Sequence, residues 1–331
     1  MSASKARGLS VKVERFDLAA PFVISRGAKS VAEVVTVTLE EGAFQGRGEC
    51  VPYGRFGETV QGVVAAIEGL RGALEAGLER EALQALLPAG AARNAIDCAL
   101  WDLEAKRSGT RVQDLAGQSS IAPVITAYTL SVGAPEAMAA QAAIHAEKPL
   151  LKLKLGGEGD EARLAAVRAA APRSALIVDA NEAWRPEDLP RFFAACEAAG
   201  VGLIEQPLPQ GRDEALVRRG TTIPVCADES VHDRAGLKAL RDRYDFINIK
   251  LDKTGGLTEA LLLADEAERL GFGLFVGCMV GTSLAMAPAL TLAPRCRFVD
   301  LDGPLLLARD RAPHLIYDAC VIQPPASYLW G

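Results

Sequence analysis

The chain is poor in the residues that build most metal and disulfide frameworks. Its 331 residues include only three histidines, none beside the charged positions singled out below, which argues against zinc or non-haem iron. Seven cysteines (Cys50, Cys98, Cys196, Cys226, Cys278, Cys296 and Cys320) are odd in number and never in CxxC spacing, which argues against a disulfide framework or a zinc site. Most read as small buried hydrophobes. No run approaches the ~20 apolar residues of a membrane span, and the opening MSASKARG lacks the apolar core of a secretory signal. A cytoplasmic protein is expected. There is no basic run, and a net charge of -6 gives no attraction for nucleic acid or an acidic membrane, so neither is expected as a partner. With 50% hydrophobic and 24% charged residues, the composition is that of a globular protein long enough for two domains.

Against that background one pattern repeats. Short apolar segments end, one after another, in a lysine or a carboxylate: LLKLKLG (Lys152, Lys154), ALIVDAN (Asp179, Asn181), VGLIEQP (Glu205), IPVCADES (Asp228, Glu229, Ser230) and DFINIKLDKTGG (Lys250, Asp252). The steps from Lys154 to Asp179, Glu205, Asp228 and Lys250 are 25, 26, 23 and 22 positions, the length of one strand plus one helix. Each run is too short for a helix and is bounded by Gly, Pro or polar residues, so it reads as a buried parallel strand. Between them DEARLAAVRAAA, PEDLPRFFAACEAAG and LTEALLLADEAERLG carry apolar residues at helical spacing. PVITAYTL, FGLFVG and RFVDLD bring the strands to eight. The predicted fold is α/β, a (β/α)7β TIM-type barrel whose strand ends face one mouth. At about 180 residues, 123 to 302, the barrel segment is shorter than the usual ~200 to 250, which predicts short loops.

Before the barrel, residues 9–17 and 31–39 alternate polar and apolar as half-buried antiparallel strands do, with a third short strand at Arg47 to Cys50. Helical patterns run from Thr59 to about Gly77 and from Ala91 to Arg107, where Gly109 supplies a cap. This predicts an α+β capping domain over 1–118, a barrel over 119–305 and a tail, 306–331, that returns to the capping domain. The stretches AAPFVISRGAK and CVPYGRFGET are expected to be lid loops.

In a barrel of eight strands the second and sixth are opposed, so Lys154 and Lys250 face each other across the mouth. Asp179, Glu205 and Asp228 lie on the wall between them, and Asp300 and Asp302, on strand 8, face that wall. Three convergent carboxylates cannot all stay ionised at close range without a cation, and an all-oxygen set suits a hard one, Mg²⁺, at one per subunit. Capping of the following helices explains one such Asp, but not three in successive strands flanked by lysines. A lysine on each side points to proton transfer at a carbon next to a carboxylate, with a metal to stabilise the enediolate. A lysine base must be neutral part of the time, so its pKa must fall from ~10.4 toward ~7 to 8. Lys152, two residues from Lys154 and on the same face, is expected to contribute to that fall together with the metal.

KLKLG, DAN, EQP, DES and NIKLDKTGG, in this order, resemble the enolase superfamily, in its muconate-lactonizing-enzyme-like subgroup, and AARNAIDCALWDLEAKRSG resembles the helix that closes that family's capping domain. SRG at 25–27, GECVPYGRFGE at 48–58, GCMVGTS at 277–283 and VDLDGP at 299–304 are similar to the dipeptide epimerases within it. The resemblance implies an isomerase that moves the Cα proton of a dipeptide's C-terminal residue. Lys154 and Lys250 would be its bases with Lys152 beside them, and Asp179, Glu205 and Asp228 its Mg²⁺ ligands. It further implies that Asp300 and Asp302 hold the free α-ammonium, that Arg26 pairs with the side chain of a C-terminal Glu, and that Thr129, Cys278 and Met279 touch substrate. L-Ala-Glu is the leading substrate, murein peptide recycling the expected setting, and a homo-oligomer the expected assembly. Two departures stand out: Gly281 occupies a place where many members carry Glu, and the ending PPASYLWG is not typical of the group. N-acylamino acid racemisation and an o-succinylbenzoate synthase-like dehydration are the alternatives on this scaffold. Neither needs an ammonium site, so Asp300 and Asp302 argue against both. The intact carboxylates and lysines argue against a non-catalytic binding protein.

Overall fold

The computed structural model describes residues 7–118 and 120–331. The opening MSASKA, read above as lacking a leader core, and Ser119, where the barrel domain was expected to begin, lie outside the described residues. Three antiparallel strands come first, β1 (Arg7–Ile24), β2 (Gly27–Glu41) and β3 (Phe44–Cys50). The first two are much longer than the alternation predicts. They run through AAPFVISRGAK, expected to be a loop, and turn only at Ser25 and Arg26. The pairing register breaks between Asp17 and Phe22, where Pro21 has no N–H to give to a ladder. That gap is used by the tail: Ala308 N donates to Asp17 O at 2.8 Å, and Leu18 bridges to Leu307. Of the second expected lid, Cys50 to Thr59, Cys50 ends β3 and the rest is a loop with one 3-10 turn at Gly54–Phe56.

The helix expected from Thr59 to Gly77 breaks at Leu70 into Val60–Gly69 and Arg71–Glu75, because Gly69 and Gly72 weaken it there. A further helix, Arg80–Leu86, was not anticipated. Helix Ala91–Ser108 ends at Gly109 in the left-handed conformation, as the sequence predicts. It lies directly on β3. A Cβ on Gly48 would stand 2.1 Å from Ala95 O, and one on Gly46 2.2 Å from Ala99 O. Only glycine permits that approach, which closes a core of Val35, Val37, Leu39, Ile67, Leu83 and Ile96.

Two short strands follow, β4 (Val124–Ile125) and β5 (Tyr128–Leu130), so PVITAYTL is not one strand. Parallel strands β6 (Leu150–Lys154), β7 (Ala175–Asp179), β8 (Val201–Glu205), β9 (Val225–Ala227), β10 (Phe246–Ile249), β11 (Gly273–Gly277) and β12 (Phe298–Asp300) complete an eight-stranded sheet from β5 to β12 in chain order. Ala127 N donates to Val299 O at 2.8 Å, joining its two ends into a barrel. In the tail β13 (Tyr317–Asp318) pairs with β14 (Val321–Ile322), which pairs in turn with β4. Helices connect most of the strands, but the links after β8 and β9 carry only 3-10 turns, Glu214–Arg218 and Leu237–Leu240. This accounts for the shortness of the barrel segment. No described helix is long and apolar enough to cross a membrane.

Period-two alternation fixes what points inward. Leu150, Ile177, Leu203, Cys226, Phe246 and Phe275 form one buried layer inside the barrel. Two residues further along five of those strands stand Lys152, Asp179, Glu205, Asp228 and Asn248, so an apolar floor carries a charged layer at the mouth.

The segments are tied together by polar bonds. The Glu49 carboxylate of β3 accepts from Thr282 N at 2.8 Å and pairs with Arg311 of the tail at 2.6 Å. At the chain end, Trp330 Nε1 donates to Cys98 O and Gly331 N to Asp102 Oδ1, so SYLWG is wedged against helix Ala91–Ser108. The close approach of β3 to that helix leads to a stability prediction. Gly48→Ala should lower unfolding free energy by about 1 to 3 kcal/mol in urea, the usual cost of overpacking; an unchanged midpoint would show that the contact yields.

Candidate active site

The ends of β7, β8 and β9 bring Asp179, Glu205 and Asp228 together, each with a ligand atom within 4.8 Å of the others. All three are buried. Lys152 Nζ, from β6, lies 2.6 Å from Glu205 Oε2, 2.7 Å from Asp300 Oδ2 and 3.5 Å from Asp179 Oδ2. Lys154 Nζ is 2.6 Å from Asp179 Oδ2, and Lys250 Nζ, just past β10, is 2.7 Å from Asp228 Oδ2. Strands β6 and β10 are four apart in the barrel, so the two lysines flank the carboxylates from opposite sides. Lys253, which the sequence reading passed over, donates to Asp228 Oδ1 at 2.6 Å and to Asn248 O at 3.0 Å. Asp252, in the same motif, serves the interface instead, accepting from Val51 N at 3.0 Å and Asn94 Nδ2 at 2.8 Å.

Burial is the largest influence on Lys152, Asp179, Glu205, Asp228 and Lys250, and their neighbours decide the outcome. Burial, and then Asp179, pushes the Glu205 carboxyl up to about 7. At Asp228 burial is outweighed by Lys250 and Lys253, which hold its carboxyl well below the ordinary value. Burial at Asp179 is likewise outweighed by Lys154 and Lys152, and its pKa is lowered. For the lysines, burial favours the neutral amine, but Asp300 and Glu205 hold Lys152 well above its usual range and Asp228 does the same for Lys250. Lys152 therefore stands as a fixed cation among carboxylates, and at Lys152 and Lys250 the shift runs opposite to the lowering that a lysine base needs. On strand 8, burial and then Asp300 push Asp302 up to about 7, while its Oδ2 accepts from the backbone N of Thr129 at 2.7 Å.

Several buried acceptors around this cluster lack a hydrogen-bond donor among the described residues: Asn181 Oδ1, Glu205 Oε2, Glu229 Oε2 and Asn248 Oδ1. Glu205 Oε2 has Lys152 Nζ as an ion-pair neighbour, but not in hydrogen-bonding direction. An unsatisfied buried acceptor costs about 1 to 3 kcal/mol, and Glu205 Oε2 is one of the three convergent carboxylates, so this all-oxygen set fits a hard divalent cation such as Mg²⁺.

The mouth opens into a cavity of about 1190 Å³, lined by Lys152, Lys154, Lys250, Asp300, Asp302, Thr129, Cys278 and Met279, with Arg26 and Tyr53 on the capping side. Arg26 sits at the hairpin turn. Its Nη2 donates to Glu229 Oε1 at 2.7 Å and Tyr53 OH at 3.0 Å, and its Nη1 to Asn181 O at 2.7 Å and Glu182 Oε2 at 3.2 Å. Arg55 of the second lid holds the same Glu182 through two bonds of 3.0 Å. The tip of the β1–β2 hairpin and the loop that carries Arg55 are thus pinned to the ends of β7 and β9 by Glu182 and Glu229. Glu229 was visible in the DES motif, whereas Glu182 and Tyr53 carried no signal of their own. At Gly281 a Cβ would come within 3.1 Å of Glu49 Oε1 and Val51 Cγ2, which leaves little room there for the larger residue of other members.

Residues 136–312 match the model of the family described as Enolase C-terminal domain-like, and residues 6–117 that of the Mandelate racemase / muconate lactonizing enzyme, N-terminal domain. The chain is 50% identical over 311 residues to an L-Ala-D/L-Glu epimerase of Escherichia coli (strain K12), covering 93% of this chain and 97% of that protein. It is 46% identical over 300 residues to an N-acetyl-D-glutamate racemase of Pseudoalteromonas sp, covering 90% and 95%. Its fold is similar to that of an enolase family member from Agrobacterium tumefaciens with homology to dipeptide epimerases, solved with bound sodium and L-Ala-L-Glu. That match has a TM-score of 0.97 at 53% identity and covers 98% of this chain and 100% of the other. Matched in both halves, and over nearly its whole length by relatives this similar, the chain belongs to the mandelate racemase/muconate lactonizing enzyme group of the enolase superfamily.

Proposed function

We propose that this protein is a Mg²⁺-dependent dipeptide epimerase acting at the Cα of the C-terminal residue, with L-Ala-L-Glu and L-Ala-D-Glu as the interconverted pair. One observation carries the reading: two buried lysines on opposed strands flank three convergent carboxylates, with a second acidic pair across the mouth. Asp179, Glu205 and Asp228 would hold the Mg²⁺, which when bound supplies positive charge against the negative charge that develops on the substrate carboxylate. Lys154 or Lys250, whichever faces the Cα–H bond of the epimer bound, would take the proton as a neutral amine, which for Lys250 requires that the Mg²⁺ take over Asp228 from it. The opposite lysine, as an ammonium, delivers one to the other face. One Cα–H bond breaks, another forms on the reverse side, and the configuration inverts with no net change in protons. Lys152, tied to Asp300 and Glu205, orients the charged layer.

Asp300 and Asp302 would receive the α-ammonium, with Thr129, Cys278 and Met279 beside it. Arg26 would pair with the carboxylate of a C-terminal Glu in exchange for one of its present partners, Glu182 or Glu229. The proposal extends to a division into 1–118, 119–305 and 306–331, and to a cytoplasmic homo-oligomer acting on peptides from murein recycling, with neither nucleic acid nor membrane as partner. The net charge of -6 and the seven unpaired cysteines support that setting.

A second reading, racemisation of an N-acylated glutamate, has one observation in its favour beyond the Pseudoalteromonas relative. Lys152 already neutralises Asp300, so the acidic pair does not by charge alone demand an ammonium from the substrate. Asp302 favours the dipeptide. It is buried against Asp300, and its carboxylate accepts from Thr129 with no cation bonded to it among the described residues, so a cationic substrate group relieves it and an N-acetyl group does not.

Lys154→Ala and Lys250→Ala should each abolish epimerisation while one of the two epimers still exchanges its α-proton with deuterium. A single variant with wild-type epimerisation would end the two-base reading. Chelation should remove activity and Mg²⁺ restore it, and Asp179→Asn should lose most of the rate; full activity after exhaustive chelation would remove the metal from the mechanism. Substrate class is tested by kcat/KM for L-Ala-L-Glu against N-acetyl-L-Glu and L-Ala-L-Leu on one preparation. The dipeptide ending in Glu should win; preference for N-acetyl-L-Glu would select the second reading, and preference for L-Ala-L-Leu would overturn only the role of Arg26.

A further inference from the structure

The EQP motif holds a residue that the proposed mechanism does not use. Gln206 follows Glu205, is fully buried, and adopts a positive φ of 34°, a conformation a non-glycine residue occupies only when its surroundings impose it. Its surroundings are complete. Through its backbone it joins the ends of the ligand strands, donating from N to Cys226 O and accepting at O from Glu182 N, both at 2.9 Å. Its side chain does something different. Gln206 Oε1 accepts from Asp228 N at 2.9 Å and from Ser230 N at 3.1 Å, so one amide oxygen gathers two N–H groups of the DES turn. Gln206 Nε2 donates to Leu208 O at 2.8 Å, Ser230 Oγ at 2.9 Å and Tyr244 OH at 3.0 Å.

The amide is itself held in one orientation. Tyr244 OH and Ser230 Oγ both donate to Asp213 Oδ2, and Asp213 is buried and paired with Arg243, so the acceptor end of the Gln206 amide is left facing Asp228 N. Asp228 follows β9, which spans only Val225–Ala227, and the connection after it has a 3-10 turn where a longer helix would otherwise brace it. Beyond the end of the strand Asp228 O is held by Lys253 Nζ and by Val231 N, and Asp228 N by Gln206. With the positive φ, the chain turns so that Gln206, pointing out of the barrel while Glu205 points in, reaches sideways to the neighbouring strand end.

The geometry points to Gln206 as a positioning residue that sets the affinity of the site for its divalent cation by fixing the backbone of Asp228. This rests on the reading of Asp179, Glu205 and Asp228 as the metal set. Outer groups that orient ligands are worth 10- to 100-fold in metal affinity where this has been tested in metal sites generally.

The experiment is titration calorimetry of the full-length protein with MgCl₂ alone, no substrate present, for wild type, Gln206→Met, Gln206→Glu and Tyr244→Phe, with thermal melting of each. Gln206→Met should weaken Mg²⁺ binding by about 10- to 100-fold. Gln206→Glu keeps an acceptor oxygen for Asp228 N and should recover most of that loss. Tyr244→Phe loosens the same network without touching the acceptor; it should lower the melting temperature yet bind Mg²⁺ as wild type does. Should Gln206→Met fail to fold, Gln206→Asn, whose amide is drawn back by one methylene, takes its place with the same expected weakening. A folded variant lacking the acceptor that binds Mg²⁺ as tightly as wild type would overturn the inference, as would Tyr244→Phe weakening binding as much as Gln206→Met, since the effect would then be general loosening. Wild-type protein that binds no Mg²⁺ would overturn the metal reading itself.

Discussion

Like charges buried side by side are costly unless cations stand between them, and the mouth of this barrel is built around that constraint. Asp179, Glu205, Asp228, Asp300 and Asp302 are all buried at one end of a single parallel sheet. Lys152, Lys154, Lys250 and Lys253 are interleaved with them, each within 2.8 Å of at least one carboxylate. The apolar layer below supplies the low dielectric that makes each pairing strong and each omission expensive. A divalent cation among oxygen ligands, and a substrate whose charges complement those on the two walls, are the additions that such a layer accommodates.

The remainder of the chain keeps that layer covered. Among the polar links that join capping domain to barrel are Glu49 with Thr282 and Arg311, Asp252 with Val51 and Asn94, and Arg26 with Glu182 and Glu229. Buried ion pairs of this kind are weak evidence for stability, because desolvation offsets much of the attraction. Their value here is geometric. Each fixes one loop at the mouth: the turn after β11, the entrance to the second lid, and the tip of the β1–β2 hairpin.

What could be read in the sequence was whatever follows a period. The steps of 22 to 26 positions, the strand ends carrying Lys154, Asp179, Glu205, Asp228 and Lys250, and Gly109 as a helix cap depend on local pattern, and the eight-stranded barrel agrees with them. What was missed depends on partners distant in sequence. The hairpin arms through AAPFVISRGAK lack clean alternation because the tail, not only β2, pairs with the gap at Leu18. PVITAYTL divides because its first half is claimed by β14. Arg26 was legible as a lid arginine, but its bonds to Glu229, Glu182 and Tyr53 join residues far apart in the chain and leave no trace in spacing. Gln206 was quoted within a motif and given no role, since its work is done through a strained backbone and an amide whose partners include the turn after β9 and the residue Tyr244 ahead of β10.

The most direct test of the central claim, that this mouth inverts a carbon next to a carboxylate with two lysines and a divalent cation, is proton NMR of L-Ala-L-Glu in D₂O with the wild-type protein and Mg²⁺. The expected result is growth of L-Ala-D-Glu together with loss of the Glu α-proton signal, while the Ala α-proton stays intact. Exchange at the Ala Cα, or an unchanged spectrum with the Mg²⁺-loaded protein, would contradict it.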